Sequence, residues 1–475
     1  MKVKPLTVGP ILGAVTGDTA RIFGRGEYKL SSNKKSVLPC VGVARIRALD
    51  SSDYDPPIFF KMSPAFDTSG VAVFDELSSE TEYEYQIGYF LQKKEEVDQA
   101  NINLDWSKAH TKQFQTASTD PKKSRSFIFG SCRYLLKLFG SWFDDRGDKT
   151  FESILKQINS GTTTNSLLMV GDQIYADDLN AIGADRTIEE FFSRYQETFT
   201  QPHIRELMGQ IPTYMTLDDH EIEDNWPSKA SPKDWVTLFP VAIHAYITYQ
   251  MSHSPLFEIV DDKADVIGSP SKLWYKFTDG CCDFFVTDTR TERDEAESCD
   301  PAFEEREIIN EDQFEALKKW LADGSERVKF VASAVPFFPD FKKTELDKWS
   351  GYLHQRTELL EFIRTNKIKR VVFLSGDVHC SMSAELLCEE DPDFKIISLI
   401  SSAFFWPYPH KSGSFQLSGK LKTTSLTSHS YAVTNAGPAH FDDNFSRVTC
   451  DLNSLKFQVF QRLGNLLGEK LCSFS

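Results

Sequence analysis

Hydrophobic and polar positions follow two different grammars along this chain. Over the first 118 residues the apolar positions come in short β-rich runs: TARIFGRG, VGVARIRALD, PIFFKMS, GVAVFDEL and TEYEYQIGYFL. Turn signals separate them, including Gly17-Asp18, Asp55-Pro56-Pro57 and Thr68-Ser69-Gly70. In Thr81-Glu82-Tyr83-Glu84-Tyr85-Gln86-Ile87 the alternation puts Tyr83, Tyr85 and Ile87 on one face, the period of a half-buried strand. Several short strands at this spacing predict a β-sandwich over 1–118. The polar, Pro-containing stretch 119–126 reads as a linker.

From 127 to 475 the pattern changes. Near-continuous apolar runs, the mark of strands buried on both faces, fall at Phe127-Ile128-Phe129, Leu167 to Val170, Ile211 to Leu217, Asp283 to Val286, Val328 to Val335, Val371 to Leu374 and Ile396 to Ile400. Helical spacing lies between them. Ile188, Phe191, Phe192, Tyr195 and Phe199 form one stripe, read as core packing. Phe314, Leu317 and Leu321 form another, behind an N-cap at Asn310 with Gln313 three residues on. Strands alternating with helices predict an α/β layered catalytic region. Strand patterns return from about 429 to the end, where they either cover the site or pack on the β-domain.

Polar motifs follow directly on five of the apolar runs. They are Gly130-Ser131-Cys132-Arg133; Gly171-Asp172-Gln173-Ile174-Tyr175-Ala176-Asp177-Asp178; Asp218-Asp219-His220-Glu221-Ile222-Glu223-Asp224-Asn225-Trp226; Thr287-Asp288-Thr289-Arg290; and Ser375-Gly376-Asp377-Val378-His379. Open α/β sheets bind ligands beyond the carboxyl ends of their strands, so five such tips can converge on one pocket. Taken singly, each motif has an ordinary reading. Gly-Asp is a turn, Cys132 is a buried thiol, and the Asp218–Glu221 cluster is a solvated loop too charged for a core. Taken jointly, they supply a thiolate, a phenol, imidazoles, carboxylates and an amide. That set matches no nucleophilic triad and suits metals. Thiolate, phenolate and imidazole favour a transition metal; carboxylate and amide oxygens favour a hard cation such as calcium. A bridging carboxylate such as Asp172 would hold two ions ~4 Å apart, the arrangement that clamps the attacking and leaving oxygens of phosphoryl transfer.

Charge and composition narrow the partners. The chain has 53 basic and 69 acidic side chains, a net −16, which disfavours a protein that coats nucleic acid. No apolar run reaches the ~18 residues of a bilayer span. The start, MKVKPLTVGP, has no apolar stretch after its basic residues and does not read as a secretory signal. The nine cysteines include no CxxC pair, and adjacent Cys281 and Cys282 suit a disulfide framework poorly. Read as reduced, they point to the cytoplasm, with export by another route as the alternative. The acidic run from Glu292 to Glu307, with Cys299 inside it, reads as a solvated loop and helix start. Nothing sets the oligomeric state.

The motifs Gly130-Ser131-Cys132, Gly171-Asp172-x-x-Tyr175, Asp218-Asp219-His220-Glu221 and Gly376-Asp377-Val378-His379 resemble the signature of the PhoD-like alkaline phosphatases of the calcineurin-like metallophosphoesterase superfamily. Asp288-Thr289-Arg290, and Trp349-Ser350-Gly351-Tyr352 with Arg356, are similar to further family segments. Gly9-Pro10-Ile11-Leu12-Gly13 resembles the start of the family's fibronectin-like leading domain. The resemblance implies a two-sheet αββα metallophosphoesterase sandwich preceded by that small β-sandwich. It implies an Fe(III) held by Cys132, Asp172, Tyr175 and His379, and one or two Ca2+ ions held by Asp172, Asp377 and Asn225 or Asp224, with other divalent metals as alternatives. Asp219 stands where relatives place a ligand Asn, and His220 where they place a catalytic His, which would donate a proton to the leaving group or orient it. Arg133 is expected to pair with a phosphate oxygen, with Arg290 and Trp226 as further substrate contacts; Trp226, Phe404, Phe405 and Trp406 could stack on a base or sugar. The implied activity is metal-dependent hydrolysis of small phosphate monoesters, diesters or both. A narrow nucleotidase or phosphodiesterase, or a catalytically silent binding or adhesion module on the same fold, are the alternatives.

Overall fold

The computed structural model describes residues 1–32, 36–92, 103–138, 142–177, 183–255, 272–295, 304–342, 346–410 and 415–474. Asp178, Cys299 and residues 296–303 of the acidic run lie outside the described residues.

Seven strands open the chain: β1 (Val8–Val15), β2 (Ala20–Arg25), β3 (Cys40–Ala48), β4 (Ile58–Met62), β5 (Ser69–Phe74), β6 (Glu82–Phe90) and β7 (His110–Gln115). They pair entirely antiparallel in two sheets, β1-β2-β5 and β4-β3-β6-β7. The period-2 reading of β6 holds, because Tyr83, Tyr85, Ile87 and Tyr89 are buried in the core between these sheets with Leu12, Ile22 and Ala72. The three-stranded sheet is covered on its other face as well. Ile11, Phe23 and Val71 join a cluster with Phe199 and Tyr249, which is why β1 is buried at every position.

The rest of the chain contributes β8 (Arg125–Gly130), the two-residue strands β9 (Lys137–Leu138) and β10 (Trp142–Phe143), α1 (Arg146–Asn159), β11 (Ser166–Val170), α2 (Ile188–Phe199), α3 (Pro202–Met208), β12 (Thr213–Thr216) and α4 (Pro232–Tyr246). Then follow β13 (Tyr275–Asp279), β14 (Cys282–Val286), α5 (Glu311–Leu321), β15 (Val328–Ser333), α6 (Leu353–Thr365), β16 (Val371–Ser375), β17 (Met382–Cys388) and β18 (Asp391–Ile400). The chain closes with β19 (Gly419–Lys420), β20 (Tyr431–Thr434), β21 (Asn444–Cys450), β22 (Ser454–Gln461) and β23 (Leu466–Ser473). Helix starts follow local chemistry. Thr187 caps α2 in a full capping box with Glu190, and the Asn310 side chain accepts the Gln313 N–H at the start of α5.

Two sheets result, β12-β11-β8-β21-β22-β23 and β13-β14-β15-β16-β18-β17-β20-β19. Phe127 of β8 meets Phe284 and Phe330 of the facing sheet edge-on, with centroids 5.3 and 5.2 Å apart. This aromatic layer is the seam of the sandwich. Phe151 and Ile154 of α1 and Phe191 and Tyr195 of α2 pack with the six-stranded sheet. Phe314 and Leu317 of α5 and Leu359 and Ile363 of α6 pack with the eight-stranded one. The architecture is thus αββα behind a β-sandwich. The final strands neither cover the site nor pack on the β-domain: β21 pairs with β8 and carries β22 and β23 outward as the end of the six-stranded sheet. Because β12, β11 and β8 run parallel, as do β14, β15 and β16, their carboxyl ends lie along one edge of the sandwich.

Candidate metal centre

At that edge the chain leaves its strands abruptly. Cys132, Asp172, Asn225, Asp377 and His379 all adopt positive φ, between 49° and 67°. This left-handed region is costly for residues with a Cβ. Backbone strain of this kind gathers where side chains must be aimed, and here it falls on five residues marked by sequence as metal ligands. Gly171, at φ 102°, relieves one crowded point: a Cβ there would lie 2.5 Å from Cβ of Asp218. The tips also bond to one another. The Cys132 N–H donates to Gly171 O at 3.2 Å, Arg133 N–H to Asp172 O at 2.8 Å and Asp377 N–H to the Ser131 hydroxyl at 3.2 Å.

Asp172 is the hub. Its Oδ2 accepts from the Cys132 thiol and the Tyr175 hydroxyl, each at 3.3 Å, while its buried Oδ1 has no hydrogen-bond partner. The Ser402 hydroxyl donates to Cys132 Sγ at 3.0 Å and accepts the His379 N–H at 3.0 Å, which ties the β16 tip to the β8 tip. Ligand atoms of Asp172, Asp219 and His220 lie within 4.8 Å of one another, as do those of Asp218, Asp219 and Asp377. So many carboxylates in a dry place repel. Burial, with Asp218, Asp219 and Glu221 adding to it, pushes Asp172 well above the ordinary carboxylate range. Burial raises the Cys132 thiol and Tyr175 phenol likewise. A cation bound among these groups would reverse each shift, because their charged forms would then be matched. Burial and the neighbouring His220 and His410 push the His379 imidazole down to about 3, so it stays neutral and able to ligate. An orphaned carboxylate oxygen, a thiol and a phenol on one hub, and a neutral imidazole fit a metal centre.

The Asp218–Glu221 cluster is no solvated loop. All four residues are buried, and each charge has an assignment. Glu221 accepts backbone N–H groups from Asp172, Gln173 and Asp218 at 3.2, 2.6 and 2.9 Å. Asp218 takes Nε of Arg290 at 2.5 Å. Burial opposes ionisation of Asp219, but Arg290, His220 and the Asn225 N–H hold it below its ordinary range. His220 Nδ1 meets Asp177 at 2.8 Å, which leaves Nε2 to serve the site. Burial alone would lower this imidazole; Asp219, Asp172 and Asp177 raise it well above its usual value. Between the two candidate calcium ligands after this cluster, Asp224 turns outward to Lys229 at 2.7 Å, while the Asn225 N–H binds Asp219.

Three side chains expected at the substrate are engaged elsewhere in this structure. Arg133 is fully buried, yet its guanidinium donates to Thr198 O at 2.8 Å, sits 3.7 Å from Asp148 and lies over the Phe151 ring. It fastens α1 to α2, while its Nε and Nη2 have no hydrogen-bond partner. Arg290 is engaged by Asp218, Asp347 and the Trp226 carbonyl, so it neutralises carboxylates. The Trp226 ring is buried and stacks on Phe239 at 5.6 Å, and Phe404 and Phe405 are also core. Arg356, in a motif-bearing segment, is likewise structural, held by Asp340 at 2.5 Å.

Trp406 alone of that aromatic group borders the site, 4.0 Å from the His379 ring and 5.8 Å from Tyr175. Lys348 was missed. Its ammonium lies 2.5 Å from Asp377 Oδ2, but a single lysine ahead of Trp349 carries no pattern. Ser402 was equally invisible, whereas Asp177 sat in plain view within the β11 tip motif.

Comparison with known proteins adds a family and a fold. Residues 142–461, well over half of the chain, match the family model described as PhoD-like phosphatase. Alkaline phosphatase D of Bacillus subtilis (strain 168) is 26% identical over 217 residues, 42% of this chain and 36% of that protein. The chain therefore aligns with just over a third of this relative's length. A solved structure of PhoD superposes with a TM-score of 0.71 over 99% of this chain and 89% of its own, at 17% identity. At that identity the likeness speaks for the fold.

Proposed function

The chain belongs to the PhoD-like phosphatase family, and we propose that it is a metal-dependent phosphoric ester hydrolase acting on small monoesters, diesters or both. The observation that carries this reading is the hub at Asp172, where a thiol and a phenol from two different loops meet one buried carboxylate oxygen. Cys132, Tyr175, Asp172 and His379 form a donor set suited to Fe(III). Asp172, Asp377 and Asn225 offer oxygens suited to calcium, with Asp219 beside them. When bound, the ions supply Lewis-acid charge neutralisation at the ester oxygens.

The residues supply the rest. Asp177 fixes the ring of His220 through Nδ1, so Nε2 is left to hold and release the proton a leaving alkoxide needs. Lys348 takes the role expected of Arg133, as a cation at the site able to meet a phosphate oxygen. Trp406 walls the His379 side.

Hydrolysis of p-nitrophenyl phosphate and of bis-p-nitrophenyl phosphate, with elemental analysis of the same preparation, tests the reading. Turnover of one or both esters with bound metal is expected. Metal-loaded protein that turns over neither ester would instead favour the binding module.

A further inference from the structure

A second group of soft donors lies at the opposite end of the sandwich. Cys281 lies in the turn between β13 and β14, Cys282 opens β14, and Cys450 ends β21. The three ligand sulfurs all lie within 4.8 Å of one another, and Cys281 Sγ is 3.8 Å from Cys282 Sγ. All three residues are buried, at 0, 0 and 1% exposure. The site described above lies beyond the carboxyl end of β14, whereas this trio sits at its start, about 16 Å away along a five-residue strand. It therefore shares no ligand with that site.

We propose that Cys281, Cys282 and Cys450 form a separate binding site for one soft, thiophilic metal ion. Three thiolates around an ion at ~2.3 Å set sulfurs slightly under 4 Å apart, which is the spacing of the first pair. A donor set of sulfur alone selects zinc, cadmium or monovalent copper over calcium or magnesium. Each ligating thiol gives up its proton to solvent. The Cys450 carbonyl, 3.2 Å from Cys281 Sγ, is the nearby oxygen that can complete a fourth position.

The position gives such an ion a structural consequence. Cys281 belongs to the eight-stranded sheet's first hairpin and Cys450 to the six-stranded sheet. The Cys281 N–H also donates to Lys123 O at 2.8 Å, and the Gly280 N–H to Ser118 O at 2.9 Å. One ion would thus join both sheets and the segment that leads in from the β-sandwich.

The test uses the reduced, metal-stripped full chain in a Cys132→Ser background, which removes the other thiolate site. Cadmium(II) is titrated in while sulfur-to-metal charge-transfer absorption and intact-complex mass are followed. A charge-transfer band that saturates at one equivalent is expected, with a rise in unfolding temperature. Adding Cys450→Ser, or separately Cys281→Ala, should abolish both signals. Circular dichroism and the unfolding temperature of each metal-free variant show that it is folded. Parallel titrations with zinc(II) and with copper(I) under anaerobic conditions identify the preferred ion. A sulfur-to-metal charge-transfer band that survives loss of Cys450, absence of that band in the folded parent, or thiol counting that finds a disulfide within the trio would each overturn the proposal.

Discussion

The carboxylate of Glu221, at the tip of β12, accepts the backbone N–H of Gln173, beyond the tip of β11, at 2.6 Å. Its other oxygen takes the N–H groups of Asp172 and Asp218. The last residue of the Asp218–Glu221 motif is thus a clamp for the backbone that aims the ligands. Glu221→Ala should leave three buried backbone donors unsatisfied at ~1–3 kcal/mol each, and remove one acceptor of the Gln250 amide, partly relieved by water. The expected result is a loss of at least ~2 kcal/mol in urea unfolding, together with loss of bound metal. An unchanged unfolding midpoint would reject the clamp.

The hub predicts a spectroscopic signature. If Fe(III) sits at Asp172, thiolate and phenolate ligation give a visible charge-transfer band. Tyr175→Phe and Cys132→Ser should each change that band in a different way, and Asp172→Asn should lower metal content and activity by at least ~10²-fold, the upper range for loss of a supporting partner. An active, colourless, iron-free preparation would falsify the iron assignment.

His220 and Asp177 can be separated by the leaving group. If His220 Nε2 delivers a proton, His220→Ala should cost ~10²–10⁴-fold with an alkyl phosphate and far less with p-nitrophenyl phosphate, whose leaving group needs no proton. Asp177→Asn should show the same preference in weaker form. Equal losses on both substrates would make His220 an orienting group only.

Arg133 and Lys348 should behave oppositely. Arg133→Met should lower stability while leaving KM unchanged, because its guanidinium serves Thr198 and Asp148. Lys348→Met should raise KM or lower kcat with little effect on unfolding. A KM effect confined to Arg133 would restore the expectation drawn from sequence.

Acid should loosen the contact between the β-sandwich and the catalytic layers. The His253 carbonyl oxygen accepts the Ala14 N–H, and His110 lies against Leu6 and Arg205. Burial pushes both imidazoles down to about 4 from an ordinary 6.5. Between those values the unfolded chain binds protons that the folded chain refuses, so stability falls as pH drops from 6.5 toward 4. For fully buried His253 the drop from 6.5 to about 4 corresponds to roughly 3 kcal/mol. Urea midpoints at pH 7 and pH 5 measure it, and His110→Gln should flatten part of the slope. A midpoint that does not fall at pH 5 would rule out this coupling.

Much of this protein was legible in the order of its residues. Period-2 alternation at Tyr83, Tyr85 and Ile87 marked a sandwich strand, and doubly buried runs ahead of Cys132, Asp172, Asp219 and Asp377 marked parallel strands with functional tips. Those signals are local, set by strand periodicity and by what can follow a strand end, so a linear reading reaches them. The direction a long side chain takes is not local. Arg133 and Arg290 look alike in sequence, as cations beside ligand motifs. Only packing sends one to Thr198 and the other to Asp218, Asp219 and Asp347. The same holds for Glu221, Ser402 and Lys348, and for the union of Cys281 and Cys282 with Cys450. Their partners lie tens to hundreds of residues away, and sheet pairing and layer stacking alone bring them within bonding distance.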